Sequence, residues 1–395
     1  METSQITSES VTEGHPDKLC DQISDHILDE YLRQDPDSRV AIECMISRNL
    51  LVIAGEVKSK AIVPIEEIAR NTIVSVGYDN AVKGMNGHQC IIVKNINEQS
   101  ADINQGVDIE SRFCKKIGAG DQGIMYGFAC NETASYLPLT VDLAHKLAKR
   151  LSEVRKNGTL SYLNPDGKTQ VTVEYDEYNR PIGIKNITIS AQHKDGIDQH
   201  KLIEGIVQNV IKPVIPKGLL KQSTSLLINP TGRFVIGGPL GDTGLTGRKI
   251  MVDTYGGIIP HGGGAFSGKD ASKVDRTGAY MCRYVAKNIV AAGLADRCNI
   301  SLTYTIGVEN PTSIYLNTFD TEKVNKKLLY AMIKYIFDFS VKGMIESLNL
   351  KEPIFSKTSV YGHFKDNPNL PWERADKANL LKAYVSQLYE KIGSA

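Results

Sequence analysis

Apolar residues recur at helical spacing in three stretches of this chain. Ile65, Ile68, Ala69, Ile73 and Val76 follow Pro64, which suits a first helical turn. Leu202, Ile203, Ile206, Val207, Val210 and Ile211 follow Asp198, a natural N-cap, and the stretch ends at Pro213. Val324, Leu328, Leu329, Met332, Ile333, Ile336 and Phe337 follow Thr321. Each stretch comes after β-like sequence, at residues 50–57, 184–192 and 302–319. The helix starts, near 64, 198 and 321, are almost evenly spaced. Residues 50–55 (Leu-Leu-Val-Ile-Ala-Gly) also echo residues 233–238 (Arg-Phe-Val-Ile-Gly-Gly). The pattern predicts an α+β fold of three units, each a sheet covered on one face by helices, with chance recurrence as the alternative.

Further helices are predicted over 18–34, 135–157, 273–295 and 377–392, and a strand over 169–178 running into a turn. The polar run 98–123 lacks periodicity, which is the mark of a functional lid or a disordered segment.

Composition narrows the class. A chain of 395 residues has room for two or three domains of roughly 150 residues each. Lysine and arginine number 46 against 45 acidic residues, a net charge of +1, so no nucleic acid or anionic membrane is expected as partner. Seven scattered cysteines without a CxxC pair point to reduced thiols, not disulfides or zinc. The polar opening Met1-Glu2-Thr3-Ser4-Gln5 is unlike a signal peptide, and apolar stretches such as 289–295 are too short to cross a bilayer. A soluble cytoplasmic protein is expected.

The chemistry concentrates in residues 256–276. Six glycines (Gly256, Gly257, Gly262, Gly263, Gly264, Gly268) let the backbone approach a ligand, and Lys269, Asp270, Lys273, Asp275 and Arg276 follow at once. Bare N–H groups beside lysines suit polyphosphate, and the aspartates suit its metal. Residues 263–269 fit a Walker A loop, but Asp270 replaces the hydroxyl residue that would hold magnesium. A second glycine cluster, 229–249, contains Asp242 and ends in Arg248-Lys249. Taken singly, other candidates stay open: Asp17 reads equally as a helix cap, 164–168 and 118–123 as turns, and Glu43 as a strand-edge carboxylate.

Four motifs occur in order: His15-Pro16-Asp17-Lys18, Gly118-Ala119-Gly120-Asp121-Gln122-Gly123, residues 232–238 and residues 262–270. Together they make the chain resemble the S-adenosylmethionine synthetases, from about Ser8 to Tyr361-Gly362-His363-Phe364 and Trp372. The resemblance implies three similar subdomains about a pseudo-threefold axis, divided as 1–102, 115–236 and 237–395, with a gating loop over 99–115. It implies attack of methionine sulfur on C5′ of ATP, followed by hydrolysis of the tripolyphosphate to pyrophosphate and phosphate.

By the same resemblance His15, Lys168, Arg248 and Lys269 are catalytic. ATP contacts would come from these and from Asp166, Gly167, Arg233, Phe234, Asp242, Lys249 and Ala265. Methionine would meet Glu56, Gln99, Asp121, Asp242 and Lys273. Asp17 and Asp275 would each hold Mg2+, two ions per site, and Glu43 one K+ per subunit. A homodimer or homotetramer with sites between subunits is implied. Cys44 after Glu43 and the basic run 112–116 depart from the family pattern. Two rival readings are a P-loop-like phosphotransferase and a non-catalytic ATP or methionine binder.

Overall fold

A computed structural model describes residues 3–98, 108–111 and 114–393. Its three main sheets share one plan. A long helix leads into an antiparallel hairpin, and a second helix follows. The long helices are α1 (Pro16–Gln34), Leu139–Lys156 and Val274–Ala291. Their hairpins are Arg39–Ser47/Leu50–Lys58, Leu163–Tyr175/Pro181–His193 and Arg297–Tyr304/Ser313–Asn317. The second helices are Ile65–Val76, Gln199–Ile206 and Lys326–Ile336. In the first two units a parallel fourth strand, Ile91–Glu98 or Ser225–Ile228, closes the crossover.

Strands are exchanged cyclically. The strand preceding each long helix pairs into another unit's sheet. Ser4–Val11 lines the Leu163–Tyr175 strand, Gly123–Cys130 lines Arg297–Tyr304, and Gly244–Leu245 lines Arg39–Ser47. The loops between edge strand and long helix are therefore gathered where units meet, and residues 246–273 form one of them.

Burial alternates along Arg39–Ser47 as the two-residue period demands, with Val40, Ile42, Cys44 and Ile46 inward. One core joins α1, Val274–Ala291 and their sheets; a second fills the central unit under Leu139–Lys156. Trp372 is buried against Tyr280, with ring centroids 3.8 Å apart, and donates to the His363 carbonyl, anchoring the C-terminal segment.

Several expectations change. Residues 233–238 form no strand, so their likeness to 50–55 is not structural. The run 98–123 contains an antiparallel hairpin, Asp108–Ser111 with Cys114–Ile117. Asp198 caps its helix as predicted, but the chain passes through a π turn, Val207–Ile211, and continues to Val214. Pro213 offers no N–H to Asn209, and the Arg150 Nε donates to that carbonyl instead at 2.9 Å. The helix expected from Val324 starts at Lys326 because Asn325 caps it. Thr321 accepts from the Asp296 and Arg297 amides.

Candidate active site

Helix α1 is the scaffold of the site. Asp17, Asp21, Asp25 and Asp29 recur every four residues and so share one stripe of the helix. Each carboxylate accepts from the backbone of a distant loop. Leu245 N–H reaches Asp17 at 3.0 Å, Gly247 reaches Asp21 at 2.8 Å, and Gly268 reaches Asp25 at 2.8 Å. Phe355 and Ser356 both reach Asp29 at 2.9 Å. Edge pairing adds to this: Ile42 N–H donates to Gly268 O, and Asp270 N–H to Val40 O, both at 3.0 Å. Both ends of the cation-bearing segment 244–270 are thus stitched to the first unit.

The helix begins at Pro16, and His15 is its cap: the ring Nδ1 accepts from Asp17 N–H at 3.2 Å. That corrects the capping alternative for Asp17 and leaves its buried carboxylate for cations. Arg248 Nε lies 2.8 Å from Oδ1 and Lys249 Nζ 2.5 Å from Oδ2. Burial opposes the Asp17 charge, yet the hydrogen bonds from Lys249 and Leu245 hold its pKa below the ordinary value. Burial, then Lys249, lowers the His15 pKa to about 3, so the ring is neutral near pH 7. With Nδ1 accepting, the proton sits on Nε2, free to donate. Behind them Lys18 bridges Asp21 (3.0 Å) and Asp253 (2.5 Å), all buried. Burial pushes the Asp21 carboxyl up to about 7 even beside that ammonium.

A second cluster lies where Gly268 N–H meets Asp25, eight residues after Asp17 on α1. Lys269 Nζ is 2.6 Å from Asp275 Oδ2, and both are partly open to solvent. Gly264 lies against that carboxylate so closely that a Cβ there would stand 2.2 Å from Asp275 Oδ1. Asp270, the residue that broke the Walker pattern, is structural. It accepts from Val40 N–H at 2.7 Å and Lys273 Nζ at 2.5 Å. Burial alone would raise the Asp270 pKa, but Lys273 and Arg39 bring it below the ordinary value. No helix follows Lys269 directly, so the segment is not a P-loop. Asp121 is exposed beside this cluster, with Gly120 N–H donating to Ser272 O at 3.2 Å.

Of the remaining ATP-site candidates, Asp166, Gly167 and Lys168 lie on the Leu163–Tyr175 strand, and Arg233, Phe234, Asp242 and Ala265 lie in loops. Asp166 is buried, accepts from Gly238 N–H at 2.8 Å, and leaves Oδ1 without a hydrogen-bond partner. Burial raises its pKa to about 6. Gly167 and Lys168 follow on the same strand; Lys168 is exposed, near enough to His15 to contribute to its lowered pKa. Phe234 is half-buried, its N–H donating to His193 Nε2 at 3.1 Å, while Arg233 points outward to Asp195 at 3.3 Å. Asp242 is exposed next to this group, and Ala265 packs against Gly247.

Glu43 and Glu56 are solvent-exposed. Glu43 pairs with Ala54 and Glu56 with Ala41, so both carboxylates share the open face of the first sheet, diagonally adjacent. Cys44 points the other way, into the core. Gln99 lies outside the described residues, as does most of the gating segment. Among the described residues no three His, Cys, Asp or Glu side chains converge as a metal cage. Lone carboxylates beside lysine and arginine side chains do suit Mg2+, which takes one or two carboxylates and completes its shell with phosphates and water.

The sequence reading missed Asp21, Asp25, Asp253, Arg276 and His193 as supports of the site. The i, i+4 spacing of four aspartates was visible, but an acidic helix stripe ordinarily faces solvent. Only burial by the surrounding loops reverses that meaning.

Models of the N-terminal, central and C-terminal domains of S-adenosylmethionine synthetase match residues 3–101, 116–234 and 236–374. The S-adenosylmethionine synthase of Petrotoga mobilis is 54% identical across 97% of this chain and 99% of its own length.

Proposed function

The chain belongs to the S-adenosylmethionine synthetase family, and from that premise we propose how its residues divide the chemistry. It makes S-adenosylmethionine from ATP and methionine. A thioether sulfur has no proton to lose, so the first step needs no general base. What it needs is alignment of sulfur with C5′ and stabilisation of charge on the departing oxygen. The site is built accordingly, with cations and N–H donors in place of an acid–base pair.

In this reading Arg248, Lys249 and Lys269 hold the triphosphate, Lys168 adds positive charge, and neutral His15 donates from Nε2 to the leaving oxygen. Phe234 and Ala265 receive the adenine; Asp166, Gly167 and Arg233 bound its pocket. Glu56, Gln99, Asp121, Asp242 and Lys273 receive methionine. The observation that carries the proposal is the pair of lysine–carboxylate contacts, Lys249–Asp17 and Lys269–Asp275. A metal polyphosphate presents the charge opposite to each partner, phosphate to the lysine and cation to the aspartate.

Family members generally use metal ions. Here Asp17 and Asp275 would hold Mg2+, two per site, and Glu43 a K+; the ions would neutralise charge building on the phosphate oxygens. The open sheet faces carry exposed Met45 and Val93 on the first unit and Ile124 and Tyr315 on the third, which supports a homodimer or homotetramer with sites completed between subunits. Among the described residues no helix is long and apolar enough to cross a membrane. Cys20, Cys44, Cys90, Cys130, Cys282 and Cys298 are free and buried, which supports a cytoplasmic setting.

Incubation with ATP, methionine, Mg2+ and K+ should yield S-adenosylmethionine, pyrophosphate and phosphate. Release of ADP, or no turnover at all, would overturn the proposal.

A further inference from the structure

We propose that Asp25 and Arg276, both fully buried, are the positioning pair that sets the distance between Lys269 and Asp275. The inference rests on the reading of those two residues given above.

Both partners are fully buried and meet in a two-point fork, Nη1 to Oδ1 and Nη2 to Oδ2, each 2.8 Å. Asp25 Oδ1 also accepts from Gly268 N–H at 2.8 Å, and Arg276 Nη1 donates to Lys269 O at 3.3 Å. The pair therefore grips the backbone on both sides of the Gly268–Lys269 peptide bond. Arg276 directly follows Asp275 in the first turn of Val274–Ala291, so the same fork locates that carboxylate.

The guanidinium is itself held. Tyr280 OH takes Nε at 2.9 Å, and the Phe355 ring lies 4.2 Å away. Gly268 sits at φ +79°, where a Cβ would stand 1.9 Å from Ile42 O, so only glycine fits this close approach. Lysine at position 276 would keep the charge and lose the fork.

The same helix supplies a control. Arg283, also fully buried, forks onto Glu373 at 3.0 Å and donates to the carbonyls of Phe128, Ser135 and Tyr136. None of these hydrogen bonds reaches Gly268, Lys269 or Asp275.

The test compares Arg276→Lys, Arg283→Lys and the milder Tyr280→Phe in the full chain. Melting temperature, kcat and the Mg2+ concentration at half-maximal rate are measured for each. Both arginine variants should melt earlier. Only Arg276→Lys should lower kcat by about 100-fold and raise the half-saturating Mg2+ by about tenfold. Tyr280→Phe should move both in the same direction by about threefold. If Arg276→Lys does not fold, Tyr280→Phe decides.

Unchanged kcat and Mg2+ dependence in the folded variants, or equal shifts in Arg283→Lys, would overturn the clamp. If the unmodified protein makes no S-adenosylmethionine, the underlying reading falls with it. If it does and the variants match the control, only the clamp fails.

Discussion

The Lys249 ammonium stands 2.5 Å from the buried Asp17 carboxylate, and Lys269 repeats the arrangement 2.6 Å from Asp275. Each pair joins a group suited to phosphate with one suited to metal. A buried carboxylate without a partner is costly, so the pairing keeps Asp17 ionised inside the protein. Exchanging each partner for part of a metal polyphosphate conserves charge on both sides. The site can therefore be strongly charged without a large local imbalance.

Asp17→Asn and Asp275→Asn should each reduce turnover by at least about 100-fold. Asparagine can still accept from Leu245 N–H, so the fold should survive at position 17. Steady-state rates with circular dichroism check this; near-normal rates in both variants would remove them as metal carboxylates.

Two neighbouring glycines should respond differently to alanine. At Gly264 the new Cβ meets the Asp275 side chain at 2.2 Å, and that side chain can turn aside. Activity should drop while melting temperature changes little. At Gly262 the Cβ would stand 1.5 Å from Ile124 O, which is backbone, so Gly262→Ala should lose about 1–3 kcal/mol of stability. Equal melting curves for the two variants would contradict the contrast.

His145 is buried, bonded through Nδ1 to Ser10 Oγ, and burial lowers its pKa to about 3. The unfolded chain binds this proton near pH 6.5 and the folded one does not, so its contribution to stability is lost as pH falls below 6.5. At pH 5.5 that loss is about 1.4 kcal/mol. Asp21 acts with the opposite sign: its raised pKa makes the folded state take up a proton as pH falls through 7. The whole-protein curve mixes both effects, and a variant isolates one. His145→Asn should flatten the stability difference between pH 7.5 and 5.5 by about 1.4 kcal/mol in urea unfolding. An unchanged difference would refute the assignment.

Glu43→Gln should abolish activation by K+ while leaving melting temperature close to normal, because the carboxylate is exposed and supports no core contact. Rate against K+ concentration is the measurement. Retained activation in Glu43→Gln would unseat Glu43 as the potassium residue.

Much of the fold was legible in one dimension. The helical runs at 65–76 and 199–206 and the alternation along Arg39–Ser47 follow from local periodicity, which each segment carries by itself. Helix ends were less legible: Asn325 caps the helix read from Val324, and His15 takes the cap that Asp17 offered as an alternative, since capping depends on which side chains the tertiary contacts leave free. The apparent echo at 233–238 misled because an apolar run has no sheet partner written into it.

The glycine-rich loops, their lysines and aspartates, and the order of the four motifs were properties of the sequence alone, and they sufficed to indicate polyphosphate chemistry. The tertiary structure decided which lysine faces which carboxylate, that Asp270 braces a strand, and that an aspartate stripe on α1 organises loops more than 200 residues away. The physical reason is distance: residue type and spacing constrain neighbours a few positions apart, whereas burial and cross-chain pairing arise only when remote segments share one volume.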